Sequence, residues 1–292
     1  MKYLTADRGR NPGPPHLRRR AVWMHIYGTQ IARAATKVTM PYDKELNSAL
    51  EAARAAGKIQ IGSRGRIGAV QRKSDDSPVT AVDRKCEAII RDALLKRFPA
   101  DGFLGEETGC EAGTSGRTWI VDPLDGTRPY TRGIPTYSSL IALEDGDELA
   151  VGCMHLPALG ETYWAKKGGG AFCNGIPIRV SREKRLSRVI GSGLGFVEKA
   201  AARDGKRLLS LMKTWDYAYG FMDAYSYGGV AYGRLDVCVN LLDKPWDCAA
   251  AACIVSEAGG AYSDVKGNRS VRNGSVILSN GFVHDAVVEY FL

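Results

Sequence analysis

Strand-like and helix-like stretches are mixed through both halves of this chain, and that mixture limits it to a layered α/β architecture. The apolar residues from Asp43 to about Gly57 recur at helical spacing. Val82, Cys86, Ile89, Ile90 and Leu94 form one face of a second helix, AVDRKCEAIIRDALLKRF, stopped by Pro99. DGFLGEETG then reads as a short strand and a turn. RTWIV, TYSSLIALE and ELAVGCMHLP read as strands, the last two joined by the turn DGDE, and ETYWAKKGGGAFCNGIPI continues in strands and glycine turns. The second half predicts a helix from Val197 to Lys213, another through AYGFMDAYSYGGVAYG, and a strand in LDVCVNL. A last helix is expected in PWDCAAAACIVSEAGG, with Pro245 near its start and a Gly-Gly stop. These segments group into a leader (1–39), an α+β sub-domain (40–180) and an α/β sub-domain (181–292).

The net charge of +8 suggests a nucleic-acid binder until it is located. Residues 1–39 carry eight Lys or Arg (Lys2, Arg8, Arg10, Arg18, Arg19, Arg20, Arg33, Lys37) against Asp7 alone, a net +7. The remainder is close to neutral and carries no basic-aromatic stripe, so neither nucleic acid nor a membrane is expected as a partner. No apolar run approaches the ~18–20 residues that cross a bilayer. The leader lacks a long apolar core of the secretory kind. It reads as a flexible basic extension, or as sequence upstream of a true start at Met40, with an organelle transit peptide as the alternative. Seven scattered cysteines, odd in number and without a C-x-x-C pair, argue against a disulfide framework or a zinc site and suggest a reducing cytoplasm.

Four acidic places stand out: Asp83 at a helix start, Glu106–Glu107 in a glycine turn, Asp122 and Asp125 in WIVDPLDGT, and Asp247 near a helix start. Each alone has a plain explanation. Asp83 and Asp247 could complement helix dipoles, the glutamates could face solvent, and DPLDG could be only a turn. Together they suggest more. Carboxylates at the C-terminal end of a strand lie where α/β folds bind ligands, and two held close repel unless a cation intervenes. With no His or Cys beside them, they favour Mg²⁺ or Mn²⁺ over zinc. Gly126 and Thr127 follow with backbone N–H groups suited to an anion.

GEETG, WIVDPLDGT and KPWDCAAAACIVSEAGG, in this order and spacing, resemble the inositol monophosphatase family of Mg²⁺-dependent, lithium-sensitive phosphatases. The resemblance runs from about Met40 to the C-terminus. It implies an α-β-α-β-α five-layered sandwich and a homodimer. It also implies two or three Mg²⁺ ions, with Mn²⁺ an alternative. Glu106, Asp122, Asp125, Asp247 and the Leu124 carbonyl would be metal ligands. Asp83 and Thr127 would orient and deprotonate the attacking water, one ion with Glu106 and Asp122 would activate that water, and a second would stabilise the leaving group. Gly126 and Thr127 would hold the phosphoryl oxygens, and Lys73 in QRKSDDSPVT would help close the site.

For the substrate, DGTRPYTRGIPTYSSLIALE and WDYAYGFMDAYSYGG look more like the histidinol-phosphatase branch than the inositol-phosphate branch. Asp216 would then meet a substrate amine, or else face solvent. Arg128 and Arg132 are left between phosphate and solvent. Where the family usually has a Glu, seven residues before Asp247, this chain has Asn240, which retains hydrogen bonding but not charge. Histidinol phosphate is the first expectation. An inositol, sugar or nucleotide phosphate, including one from a specialised biosynthetic pathway, is the alternative, and a non-catalytic or nucleic-acid-binding protein is the reading from another class.

Overall fold

In a computed structural model, which describes residues 41–65, 70–72, 78–220 and 223–292, the first helix runs past Gly57 to Ser63 (α1, Asp43–Ser63). A short ribbon follows (β1, Gln71–Arg72; β2, Pro78–Val79) and leads to α2 (Ala81–Arg97). Thr80 caps α2: its hydroxyl accepts from the Val82 N–H, while Asp83 accepts from the Thr80 N–H at 2.8 Å.

The main sheet then builds in chain order. Its strands are β3 (Gly102–Gly105), β4 (Gly109–Glu111), β5 (Arg117–Asp125), β6 (Ser138–Asp145), β7 (Glu148–Leu156), β8 (Glu161–Lys166), β9 (Ala171–Cys173) and β10 (Ile176–Ile178). A short helix, α3 (Thr127–Thr131), sits between β5 and β6. The eight strands lie in the order β10-β9-β8-β7-β6-β5-β3-β4, antiparallel except for the β3–β5 pair. Alternation divides its faces. Trp119, Val121, Ile141 and Leu143 pack with α1 and α2, while Ile120, Leu140 and Ala142 face the other way.

The second sheet comes from the rest of the chain: β11 (Ile190–Leu194), α4 (Arg203–Met212), β12 (Tyr217–Tyr219), α5 (Asp223–Ala231), β13 (Val237–Asn240), α6 (Pro245–Glu257), β14 (Ala261–Ser263), β15 (Val276–Ser279) and α7 (His284–Glu289). Its order is β12-β11-β13-β15-β14, with β12, β11 and β13 parallel. Residues of α4 and α7 (Leu208, Leu211, Val287) cluster with Val237, Val239 and Ile277 on one face. Cys238 and Leu278 face α5 and α6 on the other.

The result is the expected five layers: α1 and α2, the large sheet, α5 and α6, the small sheet, then α4 and α7. All of them belong to one compact unit, Pro41–Leu292. The central layer explains the composition of α6, whose residues Cys248 to Val255 are all buried. A helix enclosed by two sheets has no face left for polar side chains. Ile254 and Val255 each contribute about 2 kcal/mol by burial. The helix rests so closely on β7 that a Cβ at Gly152 would stand 2.5 Å from the Ala250 carbonyl oxygen.

Three local expectations are corrected. The helix anticipated from Val197 begins at Arg203, because residues 196–202 form successive turns. Ala218 and Tyr219, expected at a helix start, instead lie in the strand Tyr217–Tyr219, which pairs in parallel with β11. Gly109, expected in a turn, instead begins a strand, Gly109–Glu111, that pairs with β3.

Candidate active site

The strand β5 carries its apolar residues into the core and ends in acid. Its pairing with β6 is interrupted between Asp122 and Asp125, so the strand bulges where the two aspartates leave it. Asp122 is buried, and its Oδ1 accepts from the Leu124 N–H at 2.9 Å. Gly126 then turns the chain with φ of 78°, a left-handed conformation that favours glycine, and starts α3. Asp125 accepts from the Ser138 hydroxyl at 3.1 Å and from the Ala224 N–H at 3.3 Å, which ties it to the first turn of α5.

The Thr127 hydroxyl lies 2.9 Å from Asp83 Oδ1 and 3.2 Å from the Leu124 carbonyl oxygen. Asp83 therefore does both things its position allowed, since one oxygen caps α2 and the other accepts from Thr127. Asp247 enters from a third direction, in the first turn of α6, where it accepts from the Lys244 N–H at 2.7 Å. Glu106 follows β3, its N–H bonded to the Val121 carbonyl.

Glu106, Asp122, Leu124, Asp125, Gly126, Thr127, Asn240 and Asp247 line one cleft of about 680 Å³. Burial is the first reason the Asp122 carboxyl is held well above the usual carboxylate range, and the charges of Glu106, Asp125 and Asp247 add to it. Asp125 is raised by burial and then by Asp223 and Asp247. Burial pushes Asp247 up to about 7, against the Lys244 N–H that pulls it down.

Four carboxylates and a carbonyl offering only oxygen, and repelling one another, form a donor set suited to a hard divalent cation such as Mg²⁺. Asp122 stands near enough to Glu106 and Asp247 for their charges to act on it. Among the described residues, no three His, Cys, Asp or Glu side chains already surround a single point. The fit to a cation therefore rests on donor chemistry and mutual repulsion.

Not every expected residue is brought here. Asp216 is exposed, with its N–H bonded to the Val189 carbonyl, and does not line the cleft. The carboxylate that reaches the cleft from this segment is Asp223, at the start of α5, which the sequence reading missed. Its position just after an aromatic strand and before a small-residue helix was the available signal. Asn240 is in the cleft wall, but its amide is committed to the protein. Its NH₂ donates to Asp243 and, at 2.9 Å, to the Tyr227 oxygen, and its Oδ1 accepts from the Leu242 N–H. Asp243, also missed, is buried and accepts from the Tyr227 hydroxyl. Arg128 lines the cleft, whereas Arg132 is exposed and outside its lining. Lys73 lies outside the described residues.

Residues 42–291 match the sequence model of the inositol monophosphatase family. A histidinol-phosphatase of Chlorobaculum parvum is 40% identical over 80% of this chain and 91% of its own length. A fructose-1,6-bisphosphatase/inositol-1-monophosphatase of Thermotoga maritima is 35% identical over 84% of this chain and 94% of its own. Among solved structures, the extragenic suppressor protein suhB of Bartonella henselae superposes with a TM-score of 0.79 at 31% identity, covering 85% of this chain and 98% of that one.

Proposed function

The chain belongs to the inositol monophosphatase family, a family of phosphoric monoester hydrolases, and from that premise we propose that it hydrolyses a small phosphate ester bearing a cationic amine, with histidinol phosphate first. The observation that carries this reading is Asp223. Its carboxylate stands over Gly126, where a Cβ would lie 3.5 Å from Asp223 Oδ2, beside the backbone proposed to receive the phosphoryl group. A carboxylate next to a phosphate site repels an ordinary phosphate ester. It suits one whose own ammonium group can meet it, beside the Arg128 guanidinium that already favours its charged form.

The chemistry follows from the groups around the cleft. Glu106, Asp122, Asp125, Asp247 and the Leu124 carbonyl would hold the divalent cation, whose charge would acidify water and stabilise the leaving oxygen. Thr127, bonded to Asp83, orients the attacking water and relays its proton to that carboxylate. The N–H groups of Gly126 and Thr127 face the phosphoryl oxygens. Asp122 is buried, and Trp246 and Phe196 line the same cleft as apolar walls.

The test is phosphate release from histidinol phosphate, inositol 1-phosphate, fructose 1,6-bisphosphate and 3′-phosphoadenosine 5′-phosphate, with Mg²⁺, with EDTA and with added Li⁺. Asp223→Asn is expected to lower kcat/KM for histidinol phosphate about tenfold or more, with inositol 1-phosphate within about twofold. Equal losses on both substrates would remove the amine from the reading and leave the hydrolase.

A further inference from the structure

Three side chains stand one helical turn apart on α2, and each reaches a different part of the neighbouring structure. Asp83 takes the Thr127 hydroxyl, and Arg91 pairs with Glu111 on β4. Between them is Glu87, which has no exposed surface at all. A buried carboxylate is costly unless it is fully bonded. Glu87 meets that condition with two backbone groups: its Oε2 accepts from the Glu107 N–H at 2.9 Å, and its Oε1 from the Thr108 N–H at 2.7 Å.

The sequence makes room for this approach. β3 ends in Gly105, where a Cβ would stand 2.6 Å from Glu87 Oε2. From the other side, the Glu106 N–H bonds to the Val121 carbonyl at 3.2 Å. The turn that carries Glu106 is thus fastened on one side to the strand bearing Asp122 and on the other to the helix bearing Asp83. Side-chain freedom at Glu106 depends on how rigidly those three backbone groups are held.

We propose that Glu87 is a positioning residue for Glu106. By gripping the two peptide groups after it, Glu87 sets the Glu106 carboxylate toward Asp122 and thereby sets the affinity of the cleft for a divalent cation, touching neither cation nor substrate. This rests on reading the four carboxylates as a cation site. Groups that orient metal ligands typically change metal affinity about 10–100-fold when altered.

The experiment is calorimetric titration of the full chain with Mn²⁺ alone. Glu87→Gln keeps the volume but turns an NH₂ group toward one of the two donors. It is expected to weaken Mn²⁺ binding about tenfold or more, with kcat at saturating Mn²⁺ within about threefold. Arg91→Ala, one turn further along the same face, should bind Mn²⁺ as the unaltered chain does. A Glu87→Gln protein that melts lower but binds Mn²⁺ normally would make Glu87 a structural fastener and overturn the proposal. An unaltered chain that takes up no Mn²⁺ would overturn the cation reading and this inference with it. Should Glu87→Gln fail to fold, amide exchange in the unaltered chain with EDTA decides: slow exchange at Glu107 and Thr108 is expected, and rapid exchange refutes the grip.

Discussion

Asp122 sits where burial and three neighbouring carboxylates all oppose its negative charge. A residue of that kind favours function at the expense of stability. Asp122→Asn removes the charge but not the packing, so it should lower turnover about a hundredfold or more. In EDTA the same variant should melt at a higher temperature than the unaltered chain, because one source of repulsion is gone. Thermal melts with EDTA, beside rate assays with Mg²⁺, check both halves. A variant retaining near-normal turnover at saturating Mg²⁺ would remove Asp122 from the ligand set. Asn240 makes the converse argument. Its NH₂ is bonded to the buried Asp243, so Asn240→Glu would press a second carboxylate against the first. Roughly 2–3 kcal/mol of stability should be lost, measured by urea unfolding, with no gain on amine substrates.

At the level of elements, α6 lies close against β7. Gly152→Ala places a methyl group 2.5 Å from the Ala250 carbonyl and should cost about 1–3 kcal/mol by overpacking. Because the strain falls on Ala250, one turn past Asp247 and outside the cleft lining, KM for the substrate should be nearly unchanged in the folded fraction. A large change in KM with normal stability would contradict that separation. Elements whose pattern is set by the core were legible in the sequence. β5 and β6 alternate because each faces two helical layers, and α6 announces itself through Pro245 and its closing glycines. Elements without such a pattern were not. Tyr217, Ala218 and Tyr219 are all exposed, so they offer no alternation, and β12 exists only through its pairing with the distant β11. The stretch from Val197 to Ala202 has helical composition, yet it is turned aside at the rim of the cleft, where Phe196 and Val197 form part of the wall.

For the whole molecule, the site is a meeting of chain segments far apart in sequence, which is why only part of it could be read beforehand. Asp122, Asp125 and Asp247 were visible because acid beside an apolar run needs a reason. Asp223 and Asp243 were not, since an isolated acid near a helix end has many ordinary uses, and only folding shows which way it faces. The layers also carry a pH dependence of their own. His155 on β7 is wedged against α1, bonded to the Thr162 hydroxyl. Burial, helped by the charge of Arg54, holds it down to about 4. From about pH 6.5 downward the unfolded chain takes up a proton that the folded chain refuses. The contribution of His155 to stability should therefore fall as pH drops from about 6.5 to about 4 and then level off, by about 1–2 kcal/mol after allowing for partial exposure, against the opposite trend from the raised carboxyls of the cleft. Denaturant unfolding across that range checks it, and His155→Gln should remove this contribution from the curve.

The central placement of α6 also has a consequence for how the protein comes into being. From β5 to β10 the large sheet pairs neighbour with neighbour, so it can assemble as those residues leave the ribosome. Asp122 and Asp125 are then already in place, but one of its two faces stays incompletely covered until α6 follows α5, and Asp247 arrives with that helix. Closing that face and completing the acidic set are thus a single late event. A nascent chain should remain chemically silent until its middle layer closes.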